Sequence, residues 1–252
     1  MSAKMLAALL AAATSLAQAG VLGTAGSASA PGTSDAIHIG AVPAPEDAAE
    51  LATLNQASAL INGRRPQAGI DLLDPLIATL EARWRDKPEK LYCAHSDLET
   101  LAYLLDATLL NQPAIALDAT FCDAYFMRGY AEVDLGRADA AQRDYARAIA
   151  LAPRRAHYLS EMGELHSSGH DWPGAMGYYE QARDQATRMQ PKSEADSELG
   201  RALRGIAYVD VELGKLDEAE ALYRRCLEID PKDQKAQAEL GYVLGQKQKQ
   251  HG

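Results

Sequence analysis

The chain has 252 residues, room for one or two domains, and its 47% hydrophobic and 24% charged residues are the balance of a globular rather than a disordered protein. Asp and Glu outnumber Lys and Arg by 35 to 25, and this net charge of −10 argues against a binder of nucleic-acid phosphates, whose affinity comes from clustered cations. Aromatics are 6% of the residues while Ala and Leu are plentiful, a composition that suits packed helices better than sheets.

In chain order, the first feature is an address. Lys4 is followed by the apolar run Met5–Ala13, and Ala17-Gln18-Ala19 places small residues where a signal peptidase reads them. Residues 1–19 are therefore expected to be a signal peptide cut after Ala19, sending the mature chain to the periplasm or outside the cell. The apolar run is shorter than the roughly 20 residues that a membrane-spanning helix needs, so no transmembrane span is expected in the mature chain. Residues 20–45 are mostly Gly, Ala, Ser, Thr and Pro without an apolar period and read as a flexible linker. Folded structure is expected from about Glu46.

Export permits disulfides. Of the three cysteines, Cys226 falls at a small, buried helix position, and Cys93 and Cys122 remain as either a bridged pair or two buried thiols. Sequence does not decide between these, because a bridge depends on the approach of the two Cα atoms.

Residues 46–119 read as a divergent helical region. Glu46–Asn62 and Pro66–Trp84 form an expected hairpin around Gly63, with Pro75 kinking its second helix. Ser96–Leu110 carries Leu98, Leu101, Leu104 and Leu105 at helical spacing, an apolar face expected to pack inward. Asn111-Gln112-Pro113 should break the chain. Ala114, Leu117 and Ala119 then precede Ala148, Leu151 and Pro153 by 34 residues, as the tail of a degenerate repeat would.

From residue 120 the chain repeats itself. An offset of 34 links Gly129 to Gly163, Ala141 to Ala175, Tyr145 to Tyr179 and Ala148 to Ala182. An offset of 78 links Gly136 to Gly214, Ala141 to Ala219, Tyr145 to Tyr223 and Pro153 to Pro231, which leaves ten extra residues in the polar stretch around Pro191–Asp196. The copies are about 122–155, 156–189 and 200–233, followed by a capping helix at 234–248 with Ala236, Leu240, Val243 and Leu244 on one face. Gly136 and Gly214 suit the left-handed turn that ends a helix, Pro153 and Pro231 stop the second helix, and Asp139 and Asp217 with Gln142 and Glu220 suggest capping boxes. Each hairpin alone would expose an apolar face, so stacking is obligatory.

This pattern resembles the tetratricopeptide repeat: a 34-residue period, a small residue in the first helix, then Ala, an aromatic, Ala and a closing Pro in the second. The resemblance implies an all-α fold, a right-handed superhelix of antiparallel helix hairpins, with the first helix of each hairpin lining a concave groove that binds protein or peptide. Carried onto this chain, the groove positions include Phe126, Tyr130, His157, Glu164, Arg201, Arg204, Tyr208 and Tyr242. Glu161, beside Glu164 on the same helix face, joins them as a partner-binding residue. Arg201 and Arg204 are placed to grip a carboxylate as a fork.

Chemistry-bearing motifs are weak by comparison. His166 and His170 stand four apart beside Asp171, but Gly169 lies between them and the stretch reads as a turn, so no metal ligation is expected there. Cys93-Ala94-His95 has a thiol and an imidazole, yet close neighbours on a helix do not face one another. No catalytic residue, cofactor or metal is expected. The reading is a non-enzymatic periplasmic scaffold in cell-envelope assembly; the alternative is a helical enzyme or small-ligand carrier with a site between the N-terminal half and the repeats, near Cys93 and His95.

Overall fold

The computed structural model describes residues 45–189 and 191–251. The expected signal peptide and, apart from Pro45, the expected linker lie outside the described residues. Among those described, the fold is helical: α1 (Pro45–Asn62), α2 (Pro66–Trp84), α3 (Asp97–Leu109), α4 (Thr120–Asp134), α5 (Ala138–Leu151), α6 (Ala156–Ser168), α7 (Trp172–Ala186), α8 (Lys192–Glu212), α9 (Leu216–Ile229) and α10 (Gln234–His251). Two four-residue strands, β1 (Lys90–Cys93) and β2 (Ala114–Leu117), flank α3. The pairs α1–α2, α4–α5, α6–α7 and α8–α9 are antiparallel hairpins, each packed on the next, and α10 covers the last.

One backbone turn builds all four hairpins. After α4, Gly136 N–H donates to Val133 O (2.9 Å) and Arg137 N–H to Glu132 O (2.8 Å), the paired bonds of a Schellman motif. The same pair follows α8 at Gly214 and Lys215, α6 at His170 and Asp171, and α1 at Arg64 and Arg65. The left-handed position is Gly136 (φ 72°) or Gly214 (φ 75°) in two turns, but His170 (φ 58°) and Arg64 (φ 60°) in the others. Arg64, not Gly63, is therefore the turning residue of the first hairpin. The motif occurs once more after α3, at Asn111 (φ 52°), where it leads into β2 instead of a second helix.

Packing between the two helices of a hairpin follows the repeat register. Tyr145, Tyr179 and Tyr223 are buried, and Ala141, Ala175 and Ala219 beside them are fully so. The helices approach so closely that a Cβ placed at Gly129 would lie 2.8 Å from the Tyr145 ring, and one at Gly163 would lie 2.9 Å from Tyr179. The ten-residue excess between the second and third copies is partly absorbed by α8, 21 residues long against 13 for α6. α5 and α9 end two residues before Pro153 and Pro231. The expected capping boxes are not formed: the N-caps are Arg137 and Lys215, which have no side-chain cap, and Asp139 and Asp217 sit inside the first turn. There they complement the helix dipole, and Glu220 instead meets Lys247 of α10 at 2.7 Å.

The N-terminal half departs further from expectation. α2 continues through Pro75, and α1 and α2 pack directly on α4. Arg128 of α4 fastens the junction, with Asp144 of α5 and Asp74 of α2 both 2.7–2.8 Å from its guanidinium. The first hairpin thus stacks as a repeat, and residues between Trp84 and Thr120 are an insertion. They are not a degenerate helical repeat: β1 and β2 pair in parallel, Lys90 opposite Ala114 and Cys93 opposite Leu117. A parallel pair requires a crossover, and α3 supplies it. α3 turns Tyr103 and Ala107 inward, Tyr103 stacking on Tyr92 at 4.7 Å. Consequently Leu98, Leu101 and Leu105 point to solvent and Leu104 is half-buried, the reverse of the expected apolar face.

Two predictions test this packing. Nothing lies within 4 Å of a Cβ at Gly214 or at Gly241, yet only Gly214 has a positive φ. Gly214→Ala should lower unfolding free energy by about 1 kcal/mol, and Gly241→Ala, inside α10, should raise it by about 0.5–1 kcal/mol, both read from urea titration. Gly163→Ala must displace the Tyr179 ring and should cost about 1–3 kcal/mol in the same assay.

Candidate functional site

The groove is built from the first helices of the last two hairpins and from α10. α6 contributes Glu164, Ser167 and Ser168, α8 contributes Arg201, Arg204 and Tyr208, and α10 contributes Lys235 and Glu239. Tyr179 and Tyr223, the packing residues of the second helices, border its floor, and the volume of this open groove is about 630 Å³. The wall carries both charge signs around an aromatic floor, and Tyr208 stands 41% exposed on it.

Of the nine expected partner-binding residues, Glu164, Arg201, Arg204 and Tyr208 line this cavity. Phe126 does not belong to any groove floor: it is 5% exposed, stacked on Tyr158 at 4.5 Å and on Tyr145 at 5.5 Å. A large apolar ring at that helix position finds a dry contact with the neighbouring hairpin, and burial outcompetes display. Tyr130 and Tyr242 are exposed but outside the cavity wall. His157 and Glu161 lie behind the wall in an ionic cluster, Glu161 accepting from Arg201 at 3.1 Å and His157 facing Glu198 at 3.6 Å. Burial pushes the Glu161 carboxyl above its ordinary range, against the pull of His157 and Arg201. Glu198 also faces Arg201, 3.5 Å from its Nε, so this cluster ties α6 to α8.

The fork expected of Arg201 and Arg204 is corrected by the same geometry. Arg201 already holds Glu161 and Glu198, and Arg204 donates to Asp233, whose other oxygen accepts from Ala236 N–H at 3.0 Å at the start of α10. These arginines brace the cavity and leave Lys235, which is exposed, as the cation of the wall that projects to solvent. Ser160, Ser167 and Ser168, which the repeat register places at groove positions of α6, line the cavity as well, whereas Glu239 of α10 has no such signal in the register.

A second constellation lies where the insertion meets the repeats. His95 follows β1, and its Nε2 is 3.1 Å from Asp123 Oδ1 and 3.2 Å from the Tyr158 hydroxyl. Tyr158 donates in turn to Asp123. Ser96 caps α3 by accepting from Glu99 N–H at 3.2 Å, and the Glu99 carboxylate reaches back to His95 N–H at 2.7 Å. That S-x-x-E signature was present in the sequence and places Glu99 Oε2 at 3.4 Å from His95 Nδ1. Burial lowers the imidazole pKa, but hydrogen bonds to Asp123 and Glu99 outweigh it and push the value up to about 9, with the Arg155 charge opposing. Cys122, buried, donates its thiol to Ala119 O at 3.2 Å, and its N–H points at Cys93 Sγ at 3.2 Å. Both cysteines carry free thiols, as does Cys226, whose thiol burial pushes up to about 11. The expectation that Cys93 and His95 sit on a helix fails because the segment is a strand and its exit; His95 meets Cys122 and Asp123 of α4 instead. His166 pairs with Asp171 at 2.7 Å, and His170 lies on the turn against Trp172.

The tetratricopeptide-repeat profile matches residues 123–155 and, in a second form, residues 200–243. These segments coincide with the second hairpin and with most of α8, all of α9 and the first half of α10, and the chain carries tetratricopeptide repeats there. Its fold is similar to that of PilF from Pseudomonas aeruginosa, at 13% identity over 82% of this chain and 72% of that one, with a TM-score of 0.58. It is also similar to a putative kinesin light chain with TPR-like repeats from Podosopora anserina, at 14% identity over 79% and 88% of the two chains, with a TM-score of 0.53. No curated protein matches the sequence significantly. The tetratricopeptide-repeat fold suggests protein–protein interaction.

Because Asp233 both caps α10 and neutralises Arg204, Asp233→Ala should cost about 1–2 kcal/mol in urea unfolding, while Asp230→Ala should have a smaller effect. Equal losses in the two variants would show that the cap does not hold α10 in place.

Proposed function

We propose that the chain is an exported, non-enzymatic scaffold that binds a peptide segment of a cell-envelope partner in the groove between α6, α8 and α10. The observation that supports this reading is the cavity itself: about 630 Å³ in volume, walled by exposed Tyr208, Lys235, Glu164 and Glu239 and braced from behind by ion pairs. An exposed tyrosine on a pre-ordered wall provides contact area at low entropic cost, as interface hot spots do. Lysine at one end and glutamate near it favour a segment with charges of both signs. Export and the envelope setting rest on the signal-like pattern of Lys4, Met5–Ala13 and Ala17–Ala19.

Substitution of Arg204 would disturb Asp233 and α10, so the discriminating variant is Tyr208→Ala combined with Lys235→Glu. A photo-crosslinking residue placed at Ser168, on the same wall, should capture a discrete envelope protein from intact cells. The double variant should reduce that adduct at least tenfold with helicity and melting temperature unchanged. An undiminished adduct would remove the groove from the mechanism, and recovery of the mature chain from the cytoplasm would remove the envelope.

A further inference from the structure

We propose that His95, Cys122 and Asp123 form a binding site for a zinc-class divalent metal ion at the junction of the inserted βαβ unit and the first of the strongly matching repeats. The site is independent of the peptide groove, and its donors come from two segments that only the fold unites.

The donor atoms of the three residues all lie within 4.8 Å of one another. A tetrahedral ion bound at about 2.0–2.3 Å from each requires donors about 3.3–3.8 Å apart; His95 Nε2 and Asp123 Oδ1, at 3.1 Å, already stand near that spacing, and rotation of the Cys122 side chain by roughly 1 Å closes the site. One imidazole nitrogen, one sulfur and one carboxylate oxygen are a donor set suited to zinc or cobalt and poor for calcium or magnesium, which take oxygen alone. Three protein donors leave a fourth position of the tetrahedron for water.

The surroundings have the form that metal-bound imidazoles require. Glu99 Oε2 accepts from His95 N–H at 2.7 Å and stands 3.4 Å from Nδ1, while Nε2 faces Asp123 Oδ1 at 3.1 Å. Tyr158, 1% exposed, donates to Asp123 and orients its carboxylate. Asp123 and Glu99 together place two carboxylates around one imidazole, at 3.1 and 3.4 Å, an acidic setting that suits a divalent ion. His95 borders a cavity of about 150 Å³ together with Ser96, Glu99 and Arg155. Binding balances without redox chemistry: the metal takes Nε2 and the Cys122 sulfur as ligands, and the imidazolium proton and the thiol proton pass to solvent.

The test uses the full mature chain, reduced and stripped with a chelator, and titrated with Co²⁺ alone and then Zn²⁺ alone. One cobalt per chain should bind, with a thiolate-to-cobalt charge-transfer band and release of up to two protons, and zinc should displace it. Cys122→Ser should abolish the band and Cys226→Ser should preserve it. Glu99→Gln should weaken affinity 10–100-fold with the band retained, the effect expected of a group that orients a ligand. If Cys122→Ser does not fold by circular dichroism, Asp123→Asn and His95→Gln carry the test, each expected to weaken binding at least tenfold. The proposal is overturned by any of three results: no saturable uptake, uptake unchanged in the folded variants, or a mature chain isolated with a Cys93–Cys122 disulfide.

Discussion

The structure depends on the insertion of one tyrosine ring, in each hairpin after the first, against a residue that has little or no side chain. Tyr145 lies on Gly129 and Tyr179 on Gly163, at distances that leave no room for a Cβ. A two-helix hairpin of this size buries too little apolar area to stand alone, and close packing within it creates the flat faces by which neighbours stack. Everything else in the array is arranged around that contact. α4, α5, α6, α7 and α9 are each 13–15 residues long, and the same hydrogen-bonded turn joins the two helices of every hairpin. The groove is the consequence on the open side, where the first helices of successive hairpins cannot cover one another.

Charge then stiffens what packing has placed. Arg128 ties three helices at the N-terminal junction, Arg201 ties α6 to α8, and Arg204 ties α8 to the start of α10. Arg201 and Arg204 sit at groove positions of the repeat, where the register alone marks them as ligand contacts. Their role in this chain is mainly internal, and an unpaired guanidinium facing a half-buried carboxylate would have been costly to leave. The surface left for a partner is correspondingly narrower, centred on Tyr208 and Lys235.

The inserted βαβ unit changes the character of the N-terminal half. It bridges the first two hairpins in sequence without separating them in space, and it carries His95 to the side of α4 where Cys122 and Asp123 project. At this junction polar side chains from the insertion and from the repeats converge in a buried setting. Two kinds of working surface therefore sit on one scaffold, an open groove formed by repetition and a closed cluster formed where repetition is interrupted.

By itself the sequence determined the helical class, the 34-residue register, the buried tyrosines and alanines and the ten-residue excess before α8, because these follow from local spacing that repeats and is thus visible against noise. It also marked Glu164, Arg201, Arg204 and Tyr208 as groove positions. The tertiary structure alone decided that Phe126 is buried, that the leucines of α3 face water, that Ala114–Leu117 is a strand, and that His95 meets Asp123 rather than Cys93. Those outcomes rest on which surface a neighbour covers and on pairing between residues more than twenty positions apart. Neither leaves a period in the chain, so a helix read from its own apolar spacing has no means of knowing which of its faces will be met.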